Sequence, residues 1–369
     1  MHIFSVSALN FRSYDLVELE LTPGVTTFIG PNGQGKTNLI EIIDFSANLQ
    51  SHRTHLNQNL IQKNKPYAQT RVGVEENNRK IWIETKIEEK KPLKIKVNSQ
   101  IIKKQKEAVG LIKTTLFSPN DLYLIKGDPA TRRSFLDEVI IQNNRNYYET
   151  KNQYERVLKQ KNALLKSVTP RNISSSEIES TLEVWNNKLI DFGAEMYFQR
   201  NQIIKNLQPH FSKNYTTIAP NTLNTNLQYI TNLKDNLDDL ETIKNKFQQE
   251  LSKNQQEELN RKSSLIGPHR DDLEILLNDL PAKTHSSQGE SWSLALCLKL
   301  ASFDLLNENF NPILILDDVF SELDQSRREF LLQKINIADQ TLITAAVEVD
   351  LPTNINGKKH QILNSKILS

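Results

Sequence analysis

The segment GPNGQGKT, which runs from Gly30 to Thr37, combines glycines, a lysine and a hydroxyl at the spacing G-x-x-x-x-G-K-[ST]. Glycines let the backbone curl so that its N–H groups point at phosphate oxygens. At this spacing Lys36 can reach the β- and γ-phosphates of a nucleotide and serve as a catalytic residue, while Thr37 can offer its hydroxyl to Mg²⁺. The pattern predicts a nucleotide-phosphate site formed by Gly30, Pro31, Asn32, Gly33, Gln34, Gly35, Lys36 and Thr37.

A second chemical element lies far along the chain, where the apolar run Ile313–Leu316 is followed by Asp317 and Asp318. An apolar strand that ends in acids is the Walker B pattern of phosphate-loop proteins. Asp317 is then expected to hold Mg²⁺ together with Thr37, and Asp318 to act as the base that polarises the attacking water. The alternative is an ordinary turn at a strand end, where acids are common.

The remaining motifs separate the classes of phosphate-loop protein. The base-reading motif of GTPases, N-K-x-D, is missing, because the nearest strings, which begin at Asn187 and Asn245, lack the aspartate. Instead, Ser287–Glu290 (SQGE) opens a predicted helix before the Walker B strand, and Ser321–Asp324 (SELD) follows that strand. In this order they resemble the signature and the D-loop of ABC-type ATPases, so the expected nucleotide is ATP.

In ABC-type ATPases a signature serine at a helix N-terminus binds the γ-phosphate held by a partner subunit, so that ATP joins two heads. We therefore add Ser287, Gly289 and Asp324 to the nucleotide-binding residues and expect an ATP-dependent homodimer. The alternative for Ser287 is a plain helix N-cap, with Glu290 as its capping-box partner.

These motifs depart from the ABC pattern in ways that favour a slow switch over a motor. Gln288 stands where ABC heads usually have glycine, and Asp318 stands where most have the longer glutamate. No histidine follows the predicted strand Thr341–Ala346, where ABC heads carry their switch histidine.

The elements that must position these residues follow from apolar periodicity. A β-rich run, Val25–Ile29, precedes the phosphate loop, and the apolar residues after it favour a helix. The stretches Ser174–Leu207 and Leu240–Lys262 contain few glycines or prolines and predict long helices. The fold class is therefore α/β, with an ABC-type P-loop ATPase head assembled from both termini and an inserted, mainly helical lobe. The predicted boundaries place the head in residues 1–128 and 266–369 and the lobe in residues 129–265.

Composition limits the partners. In this chain of 369 residues, 46 Lys and Arg balance 44 Asp and Glu, so any nucleic-acid surface must be local. Residues 86–113 carry nine lysines against three glutamates, and the alternating patterns of Arg79–Lys86 and Leu93–Val97 predict a hairpin there. These lysines are equally consistent with DNA contact and with a solvated edge strand protected from aggregation.

The single cysteine excludes an internal disulfide, and the histidines lack metal-binding spacing, so no metal beyond nucleotide-bound Mg²⁺ is expected. No signal peptide or membrane span is expected either, which predicts a cytoplasmic protein without a membrane partner.

Taken together, the motifs resemble those of the RecF family of bacterial recombination mediators, which are related to SMC-type ATPases. The resemblance extends over nearly the whole chain, at Leu9–Tyr14, Gly30–Asn38, Ser51–Arg53, Phe117–Leu122, Lys126–Gly127, Arg132–Asp137, Gly267–Leu273, Ser287–Gly289 and Leu316–Asp324. The strings GPHRDDL and DDVFSELD are more typical of this family than of ABC heads at large.

The resemblance implies a DNA-binding, slow, DNA-stimulated ATPase that dimerises with ATP. It further implies a role in gap repair, replication restart and the SOS response, where the protein, with RecR and RecO, helps deliver RecA to junctions of single-stranded and duplex DNA. Two other classes are alternatives: a transporter-type ABC subunit, which the polar helical insert disfavours, and a scaffold that binds ATP without hydrolysing it.

Overall fold

The computed structural model describes residues 1–54, 56–168, 176–220, 224–233, 237–352 and 354–368. Along them the strands are β1 (His2–Phe11), β2 (Tyr14–Glu20), β3 (Gly24–Ile29), β4 (Tyr67–Glu76), β5 (Arg79–Glu88), β6 (Lys94–Val97), β7 (Gln100–Ile101), β8 (Thr114–Phe117), β9 (Thr225–Ile230), β10 (Asp272–Leu277), β11 (Leu280–Pro281), β12 (Ile313–Asp317), β13 (Gln340–Ala345), β14 (Gly357–Leu363) and β15 (Lys366–Leu368). The α-helices are α1 (Lys36–Asn48), α2 (Tyr123–Lys126), α3 (Pro129–Asn143), α4 (Asn146–Ser167), α5 (Ser176–Ile218), α6 (Leu240–Arg261), α7 (Ala282–His285), α8 (Gln288–Asn307) and α9 (Gln325–Ile337).

One sheet has the strand order β15-β14-β3-β13-β12-β8 and is parallel except for the β14–β15 hairpin. Every residue of β12 and β13 is buried, because both strands have a neighbour on each side in the sheet. This burial explains the continuous apolar run of Ile313–Leu316 in β12, whereas β13 also buries Gln340, Thr341 and Thr344. The sheet takes strands from both ends of the chain, as the sequence predicts. Because β3, β13 and β12 are neighbours and parallel, the segments that follow them leave from the same edge of the sheet.

A second sheet is antiparallel, with the order β2-β1-β4-β5-β6-β7. It contains the predicted hairpin, in which β5 pairs with β6 from Ile83↔Val97 to Lys86↔Lys94. The buried side chain of Gln340 in β13 links the two sheets, since it accepts from the Ile3 N–H at 2.7 Å and donates to the Ile3 carbonyl at 2.8 Å. These bonds satisfy an amide that would otherwise be costly to bury.

Packing groups the chain into two units. The first comprises Met1–Ile125, His210–Thr222 and Ser287–Ser369, and the second comprises Lys126–Pro209 and Leu223–Ser286. The second unit contains helices together with a small antiparallel sheet of order β11-β10-β9. The boundaries at 128/129 and 265/266, which motifs and composition predict, are of another kind than this grouping by contacts, and they stay a prediction.

Helix α5 extends beyond its predicted end at Leu207, since it continues through Pro209 to Ile218. Proline inside a helix removes a backbone hydrogen bond and is therefore read from sequence as a stop. Here the continuation is stabilised by apolar burial, because Phe211 and Tyr215, four residues apart on one helix face, are almost fully buried. Residues 169–175, where the predicted helix starts, lie outside the described residues.

A buried ionic network lies in the second unit. The guanidinium of Arg200 in α5 donates to Asp137 in α3 at 2.9 Å and to the carbonyl of Pro268 at 2.7 Å. Tyr147 also donates to the Asp137 carboxylate, at 2.6 Å. The network therefore fixes the GPHRDDL segment, to which Pro268 belongs, from inside the protein. Farther along that segment, burial raises the pKa of Asp271 to about 6.

Replacing Arg200 with methionine is expected to lower the free energy of unfolding by about 3 kcal/mol, because it leaves the buried Asp137 carboxylate without its main counter-charge. The matched control is Lys205→Met on the same helix, which removes an exposed ion pair with Asp238 and should cost less than about 1 kcal/mol. Urea denaturation followed by circular dichroism measures both. Equal losses in the two variants would show that the buried pair does not stabilise this unit.

Candidate functional site

The phosphate loop joins β3 to α1 and is shaped by glycines. A Cβ at Gly30 would lie 2.2 Å from the carbonyl oxygen of Ile362 in β14, so no larger residue fits. Gly35 has a left-handed backbone with φ of 109°, and a Cβ there would come within 2.9 Å of the Ser365 hydroxyl. The close approach of neighbouring backbone and the positive φ both require glycine at these positions.

The turn between β14 and β15 holds the loop from outside, which the sequence did not indicate. The Ser365 N–H donates to the Gln34 carbonyl at 2.9 Å, and the Asn364 N–H donates to the Gln34 side chain at 2.6 Å. Both turn residues have positive φ, at 49° and 56°, as the tightest hairpin turns require. An Asn-Ser pair between two short strands is a usable hairpin signal, but nothing in it points to a loop 330 residues away.

Lys36 is the first residue of α1, and only 4% of it is exposed. Its ammonium donates to the carbonyl of Gly30 at 2.7 Å and lies 3.3 Å from the carbonyl of Pro31 and 3.4 Å from the side-chain oxygen of Asn32. The lysine is thus folded back over the loop, where it places a positive charge on the phosphate cradle.

Asp317, at the end of β12, makes hydrogen bonds both to the end of the phosphate loop and to the neighbouring strand β13. One of its carboxylate oxygens accepts from the Thr37 hydroxyl at 3.3 Å and from the Thr344 hydroxyl at 2.6 Å. Burial raises the pKa of Asp317, while the two threonine hydrogen bonds oppose that shift. Oxygen ligands from a hydroxyl and a carboxylate suit Mg²⁺, so Thr37 and Asp317 fit the predicted metal position.

Thr344 was missed from the sequence, where Thr341–Ala346 predicts only an apolar strand. Its position follows from register, because β13 is parallel to β12 with Thr344 opposite Asp317. The available signal was a hydroxyl residue near the end of a buried parallel strand, next in the sheet to a strand that ends in an acid.

Asp318 lies differently from its neighbour. Its backbone is left-handed, with φ of 57°, and its N–H donates to the Thr344 hydroxyl at 2.9 Å. The sharp turn leaves Asp318 half-buried while Asp317 points inside. The predicted base is therefore reachable by water at the edge where the loop and the Walker B strand meet.

Behind the loop, Glu41 of α1 is the centre of a charged cluster. Its partners Arg12, Ser51 and Arg53 lie in strings that carry the family resemblance, whereas Glu41 does not. The buried carboxylate of Glu41 accepts two hydrogen bonds from Arg12, at 2.7 and 2.9 Å, one from Ser51 at 2.5 Å and one from Arg53 at 3.1 Å. Burial alone would raise the pKa of Glu41, but the hydrogen bonds from Arg12 and Ser51, together with the positive charges of Arg12 and Arg53, outweigh burial and lower that pKa.

His52 belongs to the same region and binds Asp44 at 2.7 Å. Burial would lower its pKa, but the Asp44 hydrogen bond and the negative charges of Asp44, Glu41 and Asp317 outweigh burial and raise it. The phosphate site is thus bordered by a connected set of ionic side chains on α1 and the segment after it.

The signature segment forms the N-terminus of α8. The Ser287 hydroxyl accepts from the Glu290 N–H at 3.2 Å, and the Glu290 carboxylate accepts from the Ser287 N–H at 2.8 Å, so the capping box considered as the alternative is present. Ser287 is exposed.

The only cysteine of the chain, Cys297, is fully buried further along the same helix.

The structure thus brings the predicted residues together in two groups. The phosphate loop, Thr37 and Asp317 form one group, and Ser287, Gly289 and Asp324 form another. Among the described residues, no hydrogen bond joins the signature or the D-loop residues to the phosphate loop of the same chain.

Comparison with known proteins decides the family. The model of the RecF/RecN/SMC N-terminal domain matches residues 2–352. A DNA replication and repair protein RecF from Streptomyces avermitilis is 40% identical over 365 residues, covering 98% of each chain. Another from Rhodococcus erythropolis is 36% identical and covers 97% of this chain and 93% of its own length.

The chain belongs to the RecF family. The resemblance in the motifs is confirmed. A solved structure of the recombination mediator protein RecF with ATP, of the RecFOR pathway, superposes with a TM-score of 0.90 at 30% identity and covers 99% of this chain and 96% of its own. An SMC head bound to a domain of ScpA is 14% identical with a TM-score of 0.53, covers 98% of this chain and 94% of its own, and shares the fold. The α/β ABC-type ATPase fold predicted from the sequence is also confirmed.

The lysine-rich stretch of this RecF-family chain carries its own counter-charges. Lys94 and Lys91 hydrogen-bond to Glu88 at 2.8 and 2.9 Å, which lowers the pKa of that half-buried carboxyl to about 2. Lys96 lies 3.9 Å from Glu84. DNA contact at the hairpin stays a prediction.

Three arginines in the strings that carry the family resemblance make bonds inside the second unit. Arg132 makes two hydrogen bonds with Asp272, both at 2.7 Å, and Arg133 and Arg270 donate to backbone carbonyls. Arg132 therefore forms an ion pair inside the protein.

Across the described ranges, no group of three His, Cys, Asp or Glu residues could hold a metal ion. Within the same part of the chain, each helix is too short or too polar to cross a membrane.

Thr344→Val should shift the pH dependence of Mg²⁺-supported nucleotide binding. The Thr344 hydrogen bond lowers the pKa of Asp317, so its removal raises that pKa further. Since a carboxylate binds Mg²⁺ only when ionised, binding in the variant is lost at a higher pH as the pH falls. Titration with a fluorescent ATP analogue over a pH series measures the midpoint. Thr344→Ser keeps the hydroxyl and should titrate as the wild type does, whereas a valine variant with the wild-type midpoint contradicts the assignment.

Proposed function

We propose that this chain is an ATP-dependent, DNA-binding recombination mediator that acts as a dimer. The observation that carries the proposal is the hydrogen bond between Thr37 and Asp317, which joins the phosphate loop to the Walker B strand across 280 residues. The ATP-bound RecF relative supports ATP as the ligand. In this proposal Gly30–Thr37 binds the phosphates and Lys36 neutralises their charge.

Mg²⁺ would be held by Thr37 and Asp317 and would supply further positive charge at the phosphates. Asp318 takes the proton of the attacking water, which its half-buried position next to the loop supports. An aspartate in this role, in place of the longer glutamate, supports slow hydrolysis. The proposed enzyme is therefore a weak, DNA-stimulated ATPase that times an assembly.

Ser287, Gly289 and Asp324 complete the site of a second copy in this proposal. Support comes from the hydrogen bonds of the described residues, none of which joins these three residues to the phosphate loop of their own chain. The capping box at Ser287 is compatible with this role, because the residues that cap a helix N-terminus also surround its anion-binding N–H groups. ATP then holds the dimer together, and hydrolysis releases it.

The cellular part of the proposal rests on the relatives, which are DNA replication and repair proteins, one of them a mediator of the RecFOR pathway. We propose that the cytoplasmic dimer binds duplex DNA and its junctions with single strands. With RecR, and indirectly RecO, it would help load RecA in gap repair, replication restart and the SOS response.

Lys36→Ala should abolish ATP binding, and Asp318→Asn should trap the ATP-bound dimer, because binding persists while hydrolysis stops. Sedimentation velocity with saturating ATP reports the association state, and phosphate release reports hydrolysis. If the Asp318→Asn protein is monomeric at saturating ATP, the proposed site shared by two copies is contradicted. Phosphate release that Asp317→Ala removes would exclude a scaffold that only binds ATP.

DNA binding should require ATP and should weaken as salt is raised, because each phosphate contact releases counterions. Equilibrium binding to duplex, single-stranded and gapped DNA, with and without ATP at two salt concentrations, tests this. Lys36→Ala serves as the control and should bind DNA as the ATP-free wild type does. Binding that ignores both ATP and salt contradicts the proposal.

A further inference from the structure

Arg327, in the first turn of α9, contacts both exposed segments that the proposed function assigns to the partner's site. Its Nη2 donates to the carbonyl of Gly289 in the signature, and its Nη1 donates to the carboxylate of Asp324 in the D-loop, each at 2.8 Å. Its Nε donates to the hydroxyl of Ser293, one turn further along α8, also at 2.8 Å. All three nitrogens of the guanidinium thus donate hydrogen bonds, two of them to α8 and one to the residue that precedes α9.

The surroundings of this side chain favour a fixed geometry. Arg327 is 16% exposed, whereas Asp324 is 54% exposed. Beneath it, the buried Ser293 hydroxyl also donates to the Gly289 carbonyl, at 3.2 Å. The Asp324 carboxylate is further tied to the first turn of α9, because it accepts from the backbone N–H of Arg327 at 3.0 Å. The exposed ends of α8 and α9 therefore share one buried support.

Glycine at position 289 has a physical reason in this arrangement. A Cβ there would lie 3.3 Å from the Nη2 atom of Arg327. Such a contact is too close unless the guanidinium moves. The small signature residue and the arginine therefore fit each other, and the planar fork of arginine, which lysine lacks, matches three acceptors in fixed directions.

We propose that Arg327 is a positioning residue that holds the signature segment Ser287–Gly289 and Asp324 as one rigid block, which binds the nucleotide carried by a second copy of the chain. The inference rests on the proposed function, because it presupposes that these residues complete a partner's site. It adds that the two segments reach that site together, in a relative position set by one side chain. Arg327 itself touches no nucleotide.

The test compares Arg327→Gln with Lys334→Gln, both in the Asp318→Asn background, which blocks turnover. Lys334 is a matched control because it also joins α9 to α8, through Asp304 at 2.6 Å, and is only 12% exposed, but it has no hydrogen bond to the signature. Either change removes one positive charge from α9 and the bonds that this charge makes to α8. Only the Arg327 change removes the side-chain hydrogen bonds to Gly289 and Asp324.

Arg327→Gln is expected to weaken ATP-dependent dimerisation about 10- to 100-fold, the range expected when hydrogen bonds to a charged group are lost. The affinity of its monomer for a fluorescent ATP analogue should stay unchanged, because the phosphate loop is intact. Lys334→Gln should dimerise within about twofold of the background protein. Sedimentation velocity over a concentration series measures dimerisation. Equal effects of the two substitutions, or a loss of monomer affinity for ATP, overturn the inference.

A mixing experiment separates positioning from general stability. Arg327→Gln retains its phosphate loop and Lys36→Ala retains its signature block, so a mixed dimer contains one complete composite site. We expect the mixture to associate with ATP, although neither protein does so alone at the same concentration. Mixing Arg327→Gln with a chain that carries both substitutions builds no complete site and should give no association. Failure of the first mixture to associate also overturns the inference.

The outcomes distinguish this inference from the proposed function. If the Asp318→Asn parent stays monomeric with ATP, the two-copy site itself fails. If the parent dimerises and Arg327→Gln dimerises equally well, the two-copy site stands and only the positioning role of Arg327 fails.

Discussion

The constraint on which the site depends is the meeting of three parallel strands at one buried carboxylate. The end of β12 presents Asp317, β13 presents Thr344 beside it, and the loop after β3 leads to Thr37. A buried charged group that loses its hydrogen-bond donors costs more free energy than a buried neutral group that loses them. A shift of α1 relative to β12 would therefore break the hydrogen bond from Thr37 to Asp317 and destabilise the buried carboxylate. The phosphate loop and the Walker B strand are thus joined through Thr37 and Asp317, and under the proposed function a nucleotide bound to the loop would act on both.

Much of this site could be predicted from local sequence. The phosphate loop has a fixed spacing, and its flanking strand and helix follow from apolar runs on either side. The Walker B strand is four apolar residues and two acids, and the signature serine opens a helix with its own capping-box partner. In each case, the residues that decide the structure are neighbours in the chain, so their pattern is visible without the fold.

The parts that the sequence did not reveal depend on contacts between distant segments. Thr344 reaches Asp317 only because two strands are in parallel register, and the turn at Asn364 reaches Gln34 only because β14 lies next to β3. The length of α5 was missed for another reason. Proline is a local stop signal, and tertiary packing of Phe211 and Tyr215 outweighs it. Register and packing are properties of the whole fold, which no short pattern contains.

The burial of Cys297 makes the natural protein ready for site-directed labelling. Burial raises the pKa of its thiol, and thiol reagents attack the thiolate, so the native residue is shielded from them both by its position and by its protonation. A cysteine introduced at an exposed position is then the only reactive thiol in the chain. Spin labels or fluorophores placed at one such position per copy could report the distance between the two heads of the proposed dimer, with no native residue replaced first.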